Sequence, residues 1–373
     1  MEIVITEIDK TQKKIEKFPD LGLTVVSRSG LHPSELNLLN QKIKEEDCKH
    51  TLFINNRTGV LPIYLAKTYG KEAINILNID YHHQQSVEQN LITNKIKINN
   101  ICASNYLMKE KLTQLFIQID SKTYSKEYYQ DIFVKHYRLI KKKGKIFISS
   151  DKRVKWFEDF LKVLNITFTL EVYNKTEYVI ILRKNTDAPE LLSFDDDYKL
   201  ELPNRPKLSF HSVPGVFAHH RIDEGAIALI DTVKADVNDI VLDMGCGVGT
   251  VGIAIAKYYD VKECIFIDSN IRALDCAKIN TEINNIHNCT FILSDEGLKQ
   301  KKATIFVGNP PYFSNFRIAD LFIDNAYSTL KKGGTAYIVA KNIKHIHSAM
   351  LKVFGNADII SKRGYNVAIS TKN

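Results

Sequence analysis

The residues Asn309-Pro310-Pro311-Tyr312 follow the apolar run 303–308, which reads as a buried strand. Proline lacks an N–H and fixes φ, and the residue before a proline is driven out of the helical region. The strand must therefore end in a stiff turn that gathers an amide side chain, carbonyls without a local N–H partner and an aromatic ring. That set suits a flat ring bearing an exocyclic amine: the two amine hydrogens need acceptors, and the ring needs a face to stack on. In isolation the same residues serve equally well as a rigid loop around a buried tyrosine, so the decision rests on what else the chain carries.

Upstream, Val241-Leu242-Asp243-Met244-Gly245-Cys246-Gly247-Val248-Gly249-Thr250 ends a strand, turns on glycines and opens a helix. Glycine permits unusual φ and close approach of backbone to a ligand. A dinucleotide fingerprint needs glycine at 245, 247 and 250, and position 250 is threonine. The acid before the first glycine repels a pyrophosphate and attracts a cationic or amine-bearing ligand. Asp268 closes the next apolar run, 25 residues after Asp243, where a carboxylate can accept from both ribose hydroxyls. Asp295 closes a third run and can take an adenine amino group. Three acids at successive strand ends, with Asn309 at a fourth, form one constellation.

The elements that must hold these residues occur twice. Phe53-Ile54-Asn55-Asn56-Arg57-Thr58-Gly59 lines up with 243–249 at an offset of 190, and 142–148 with 332–338 at the same offset. Ile79-Asp80 lines up with Ile267-Asp268 at 188, and Tyr178–Leu182 resembles 365–369 in character. Each half alternates short apolar strands with helical segments, the pattern of a mostly parallel sheet covered by helices on both faces. The first copy keeps only Gly59 of the loop, has Phe53 for Asp243, and has Ile119-Asp120-Ser121-Lys122 where the second has the prolines. Expected domains are 1–190, which keeps the fold without the site, binding of a different ligand being the alternative, and 200–373, joined through the Pro- and charge-rich stretch 185–205.

The second half resembles class I S-adenosylmethionine-dependent methyltransferases, and more narrowly the bacterial small-subunit ribosomal RNA guanine-N2 methyltransferases. The segment Pro214-Gly215-Val216-Phe217-Ala218-His219-His220-Arg221-Ile222-Asp223-Glu224-Gly225 is similar to a signature of that family, with Ala218 for the usual serine. The resemblance implies two tandem Rossmann-like α/β domains with seven-stranded sheets, S-adenosylmethionine as cofactor, and methyl transfer to the N2 amine of a guanine in ribosomal RNA, a 16S-type target being favoured. It implies a cofactor set of Asp243, Gly245, Cys246, Gly247, Asp268, Ser269, Asp295 and Asn309, and a catalytic set of Asn309, Pro310 and Tyr312. Residues 312–315, Tyr-Phe-Ser-Asn, depart from the family's Phe-His-x-Gly. A 23S guanine, adenine N6 or a protein glutamine remains an alternative acceptor, and a non-catalytic RNA-binding assembly protein the alternative function.

Bulk properties agree with an RNA partner. The net charge is +8, and residues 1–190 carry 30 Lys+Arg against 23 Asp+Glu while the rest is nearly balanced. The excess is densest at 141–145 and 151–156, which suits a polyanion such as ribosomal RNA or a ribosomal subunit. No apolar run approaches the ~18 residues of a membrane span, and the first nine residues lack the shape of a signal peptide. The expectation is a cytoplasmic monomer. The six cysteines include no CxxC pair, so no metal site is expected and reduced structural thiols are. His219 and His220 are expected to be loop or RNA-contact residues, and Trp156 a core indole at a helix start.

Overall fold

The computed structural model describes residues 5–8, 13–27, 35, 50–70, 74–120, 123–173, 177–187, 189–190, 192–311 and 316–373. They fall into two compact units, Met1–Phe194 and Asp195–Asn373.

In the first unit, β1 (Ile5–Ile8), β2 (Lys14–Phe18) and β3 (Leu23–Ser27) form a small antiparallel sheet. The main sheet contains β4 (Thr51–Ile54), β5 (Ile74–Asn78), β6 (Asn99–Cys102), β7 (Leu112–Ile119), β8 (Ile140–Ser150), β9 (Thr169–Tyr173) and β10 (Glu177–Arg183), in the order β6-β5-β4-β7-β8-β10-β9. Helices α1 (Val60–Tyr69), α2 (Tyr81–Thr93), α3 (Lys126–Tyr137) and α4 (Lys155–Val163) connect them.

The second unit opens on the hairpin β11 (Asp196–Leu200) and β12 (Leu208–Ser212), so the acidic stretch expected as linker is largely a strand. After α5 (Glu224–Ile230), the unit runs β13 (Ile240–Met244), α6 (Thr250–Tyr259), β14 (Glu263–Asp268), α7 (Ile271–Ile283), β15 (Cys289–Leu293), β16 (Ala303–Gly308), α8 (Arg317–Thr329), β17 (Leu330–Ala340), α9 (Lys344–Phe354), β18 (Asp358–Lys362) and β19 (Tyr365–Thr371). Its order, β15-β14-β13-β16-β17-β19-β18, repeats that of the first unit. In both sheets only the strand at the sixth position runs antiparallel to its two neighbours. Mostly parallel sheets with helices are thus the architecture read from the duplicated pattern, and seven strands in each sheet is what the resemblance implied.

Parallel strands covered on both faces must be apolar throughout. In β13, Val241 enters one core while Ile240, Leu242 and Met244 enter the other, as the period of two requires. Asp243 is the polar interruption on the Val241 face.

A clamp repeats in both units and escaped the sequence comparison. Asn280 and Asn284, one turn apart on α7 and its C-cap, each exchange two hydrogen bonds with the backbone of β12: Asn280 with His211, Asn284 with Ser209, at 2.6 to 3.0 Å. Asn90 and Asn94, at the end of α2, do the same to Val26 and Thr24 of β3, at 2.7 to 3.1 Å. The asparagine pairs are themselves 190 residues apart, and their spacing within α2 and α7 was the available signal.

Candidate active site

The glycine loop closes over the ends of β13 and β14. Gly245, Gly247 and Gly249 all have left-handed φ, at 67°, 55° and 87°. The Gly245 and Cys246 amides both donate to the Ile267 carbonyl, at 2.8 and 3.0 Å, which ties the loop to β14. Gly247 illustrates why a side chain fails here: an added Cβ would stand 2.6 Å from the Phe217 carbonyl oxygen. The segment 214–217 is thereby laid against the loop. It is held from α7, where Asn270 Nδ2 donates to the Gly215 carbonyl at 2.6 Å and buried Arg272 donates to that of Pro214 at 2.7 Å. The Phe217 ring is left 63% exposed.

The acids separate by environment. Asp243 is only 3% exposed and accepts from the Gly252 N–H of α6 at 2.8 Å. Burial pushes its carboxyl up to about 7; the Gly252 N–H opposes the shift and the charge of Asp268 adds to it. Asp268 is half-buried, accepting from the Gly247 N–H and from the Asn270 N–H, both at 2.9 Å. A carboxylate has about four acceptor directions, so this orientation is compatible with receiving ribose hydroxyls. Ser269 and Asp295 are half-buried at the ends of β14 and β15, and Cys246 is buried in the loop. Burial raises the thiol pKa of Cys246 far above the ordinary range, so it is no nucleophile.

Asn309 stands half-buried at the end of β16, with Pro310 buried behind it. Its Nδ2 donates to Asp223 Oδ2 at 2.9 Å. The same oxygen caps α5 by accepting from Ala226 N–H at 3.1 Å. Gly225 makes room for this carboxylate, because a Cβ there would lie 2.7 Å from Asp223 Oδ2. The Asp-x-Gly spacing reflects this cap, and the sequence reading gave Asp223 no role. With Nδ2 committed, Oδ1 is the acceptor that the amide presents. Tyr312 lies outside the described residues.

Residues 207–368 match the family model described as methyltransferase small domain. That match spans most of the second unit. The whole chain superimposes on a T. thermophilus 16S rRNA N2 methyltransferase solved with AdoMet and guanosine, with a TM-score of 0.79, covering 97% of this chain and 98% of that one at 17% identity. The ribosomal RNA large subunit methyltransferase G of Colwellia psychrerythraea is 25% identical over 88% of this chain and 87% of its own length. The small subunit methyltransferase C of Psychromonas ingrahamii is 28% identical over 42% of this chain and 46% of its own length.

Register corrects the alignment of the two methyltransferase-like units. Ile54 pairs with Leu77 and Ile117, as Met244 pairs with Ile267 and Gly308. One residue further on, Asn78, Asn55 and Gln118 hold the places of Asp268, Gly245 and Asn309. The counterpart of Asp268 is therefore Asn78 and not Asp80, which caps α2 as Asn270 caps α7. The stretch matched to the prolines slips likewise by one, and Ser121 and Lys122 lie outside the described residues. A carboxylate, a glycine and an asparagine of the second unit are thus replaced by three neutral amides. Gln118 is 2% exposed, and among the described residues neither of its amide atoms has a hydrogen-bond partner. Behind the row, Phe53, in the place of Asp243, stacks on Phe116 at 4.5 Å, which stacks on Phe147 at 4.7 Å. Arg57, in the place of Gly247, pairs with Asp120 at 3.0 Å.

The remaining residues singled out by sequence lie apart from this chemistry. His219 contacts Ser212 Oγ at 3.0 Å and His220 pairs with Asp196 at 2.8 Å, so both tie a loop to the β11–β12 hairpin. Ala218 accepts from the Tyr198 hydroxyl at 3.4 Å. Trp156 packs half-buried against Tyr129 and Phe157 on α4. The five described cysteines are unbridged. Among the described residues no cluster of three His, Cys, Asp or Glu could hold a metal, and no helix is long and apolar enough to cross a membrane.

Proposed function

We propose that this chain transfers a methyl group from S-adenosylmethionine to the exocyclic N2 amine of a guanine in ribosomal RNA, in the cytoplasm, with the site held by the second unit. The observation that carries the reading is the fixed amide of Asn309. The Asp223 bond leaves Oδ1 directed as an acceptor, beside the carbonyl of a proline that is itself followed by a proline.

The described residues fit the cofactor: the left-handed glycine loop lets backbone approach closely, and Asp268 is oriented beside it for a ribose. Gly245, Gly247, Asp268, Ser269 and Asp295 would hold it. When bound, S-adenosylmethionine supplies a methyl group already activated on a positive sulfur. The residues' task is then to prepare the nucleophile. A guanine amine shares its lone pair with the ring; Asn309 Oδ1 and the Pro310 carbonyl accept its two hydrogens and favour a pyramidal nitrogen with its lone pair free. Methylation would leave positive charge on the nitrogen, which Asn309 Oδ1 and the Pro310 carbonyl would stabilise until a proton passes to water. This is positioning and electrostatic preorganisation. The first unit serves as an RNA-binding support without a cofactor, through exposed Lys141, Lys142 and Lys143.

The test is transfer of labelled methyl from S-adenosylmethionine to unmodified 16S and 23S rRNA and to both ribosomal subunits, followed by mass mapping. N2-methylguanine at one site is expected, with Asn309→Ala losing about a hundredfold or more in kcat. A methyl on adenine or on a protein glutamine, or full activity in Asn309→Ala, overturns the reading. The named relatives divide between the small and large subunits, so both RNAs are needed.

A further inference from the structure

Two aromatic rings stand together over the carboxyl ends of β16 and β17. Phe316 and His345 have centroids 4.3 Å apart and planes 16° from parallel. Phe316 is the residue before α8, and His345 is in the first turn of α9. Each helix begins just after a parallel strand has ended, so the pair occupies the same edge of the sheet as Asn309, on the side away from the glycine loop and Asp268. Asp320 Oδ1 lies 2.6 Å from His345 Nε2 and fixes the imidazole by its edge while Phe316 covers its face. The phenylalanine ring nevertheless remains 46% exposed. Its backbone is left-handed, with φ 65°, a conformation that glycine or asparagine takes more cheaply than a bulky residue. No core burial offsets that cost. Arg317 and Lys344, the chain neighbours of the two rings, are exposed, as is Lys341, whose Nζ lies 5.2 Å from the Tyr365 ring centroid.

We propose that the outer face of Phe316 is a stacking platform for an unpaired base next to the target nucleotide, with Arg317, Lys341 and Lys344 against the flanking phosphates. The inference rests on the RNA-methylating reading above. An amine inside a helix is out of reach, so the target must be extruded, and its neighbour loses a stacking partner. An aromatic face replaces that partner without reading sequence, because every base has a π face. His345 and Asp320 act as positioning residues that hold the ring in place.

The experiment compares wild type with Phe316→Ala, Phe316→Leu and Phe316→Trp on unmodified 16S and 23S transcripts, measuring RNA Kd, KM for RNA, kcat and S-adenosylmethionine Kd. Ala and Leu should each raise RNA Kd and KM about tenfold, Trp should stay within about twofold of wild type, and cofactor affinity should be unchanged throughout. Leu keeps apolar area without a π face, so wild-type affinity in Phe316→Leu overturns the platform, as does unchanged affinity in Phe316→Ala. A surface for a protein partner would give that second result. If wild type methylates neither transcript and neither ribosomal subunit, the proposed function fails, while the RNA affinities still decide the platform.

Discussion

Asn309 donates through Nδ2 to Asp223 Oδ2 at 2.9 Å, joining two residues 86 positions apart. The bond links the turn after β16 to the cap of α5, so one carboxylate orients the Asn309 amide and starts a helix. Asp223→Ala should lower kcat about ten- to a hundredfold while leaving S-adenosylmethionine affinity within about twofold, because the amide loses its orientation and the glycine loop does not. A double-mutant cycle checks this: once Asn309 is alanine, removing Asp223 should cost little more. Additive losses would show that the two residues act separately.

Asp243 predicts a pH-dependent stability. Its folded-state pKa, about 7, lies above the ordinary aspartate value of 3.8. Below that lower value the carboxyl is protonated in both states and burial of its charge costs nothing. As pH rises towards and through 7, the native state holds a proton that the unfolded state has released, and stability is lost across that window. Three pKa units correspond to about 4 kcal/mol. Asp243→Asn keeps an acceptor for the Gly252 N–H and has no charge. Its advantage in urea denaturation, without cofactor, should grow from pH 5 to pH 8; parallel profiles for the two proteins would sink the assignment.

Gly247→Ala should weaken S-adenosylmethionine binding at least tenfold. The new Cβ meets the backbone oxygen of Phe217, which cannot rotate away, and the φ of 55° is strained for alanine. Calorimetry of cofactor binding checks it, and wild-type affinity would mean that the loop and 214–217 are not part of the cofactor site.

The first unit should bind no cofactor. One S-adenosylmethionine per chain is expected by calorimetry, with two per chain overturning the proposed division of labour. Gln118→Met should raise Tm by a few degrees without changing methyl transfer, because it removes two buried amide atoms that lack partners and keeps the side-chain length.

The asparagine clamps should behave as equivalents. Asn280→Ala and Asn90→Ala each strand buried backbone groups and should each cost about 1–3 kcal/mol in their own unit. Asn280 also donates to the Val248 carbonyl at 2.9 Å and Asn90 to that of Thr58 at 2.8 Å, so each clamp reaches the loop after the first strand of its sheet. Thermal unfolding followed in each unit checks this; no loss in either would deny the clamps a structural role.

The amino-acid sequence by itself determined the alternation of strands and helices, the duplication, the glycine loop and the acids that close β13 and β14, because these depend on local period and turn chemistry. It also marked Asn309, since two prolines stop a strand wherever they occur. It misplaced Asp80 and the counterpart of Asn309 by two residues and by one. Register is settled by pairing across strands, and a slip of one residue exchanges the faces of a strand; only the pairing within each sheet reveals that Asn78 and Gln118 hold in the first unit the places that Asp268 and Asn309 hold in the second. The partner of Asn309 was likewise hidden. A contact spanning 86 residues has no periodic trace, and it exists because the parallel sheet ends β16 beside the start of α5.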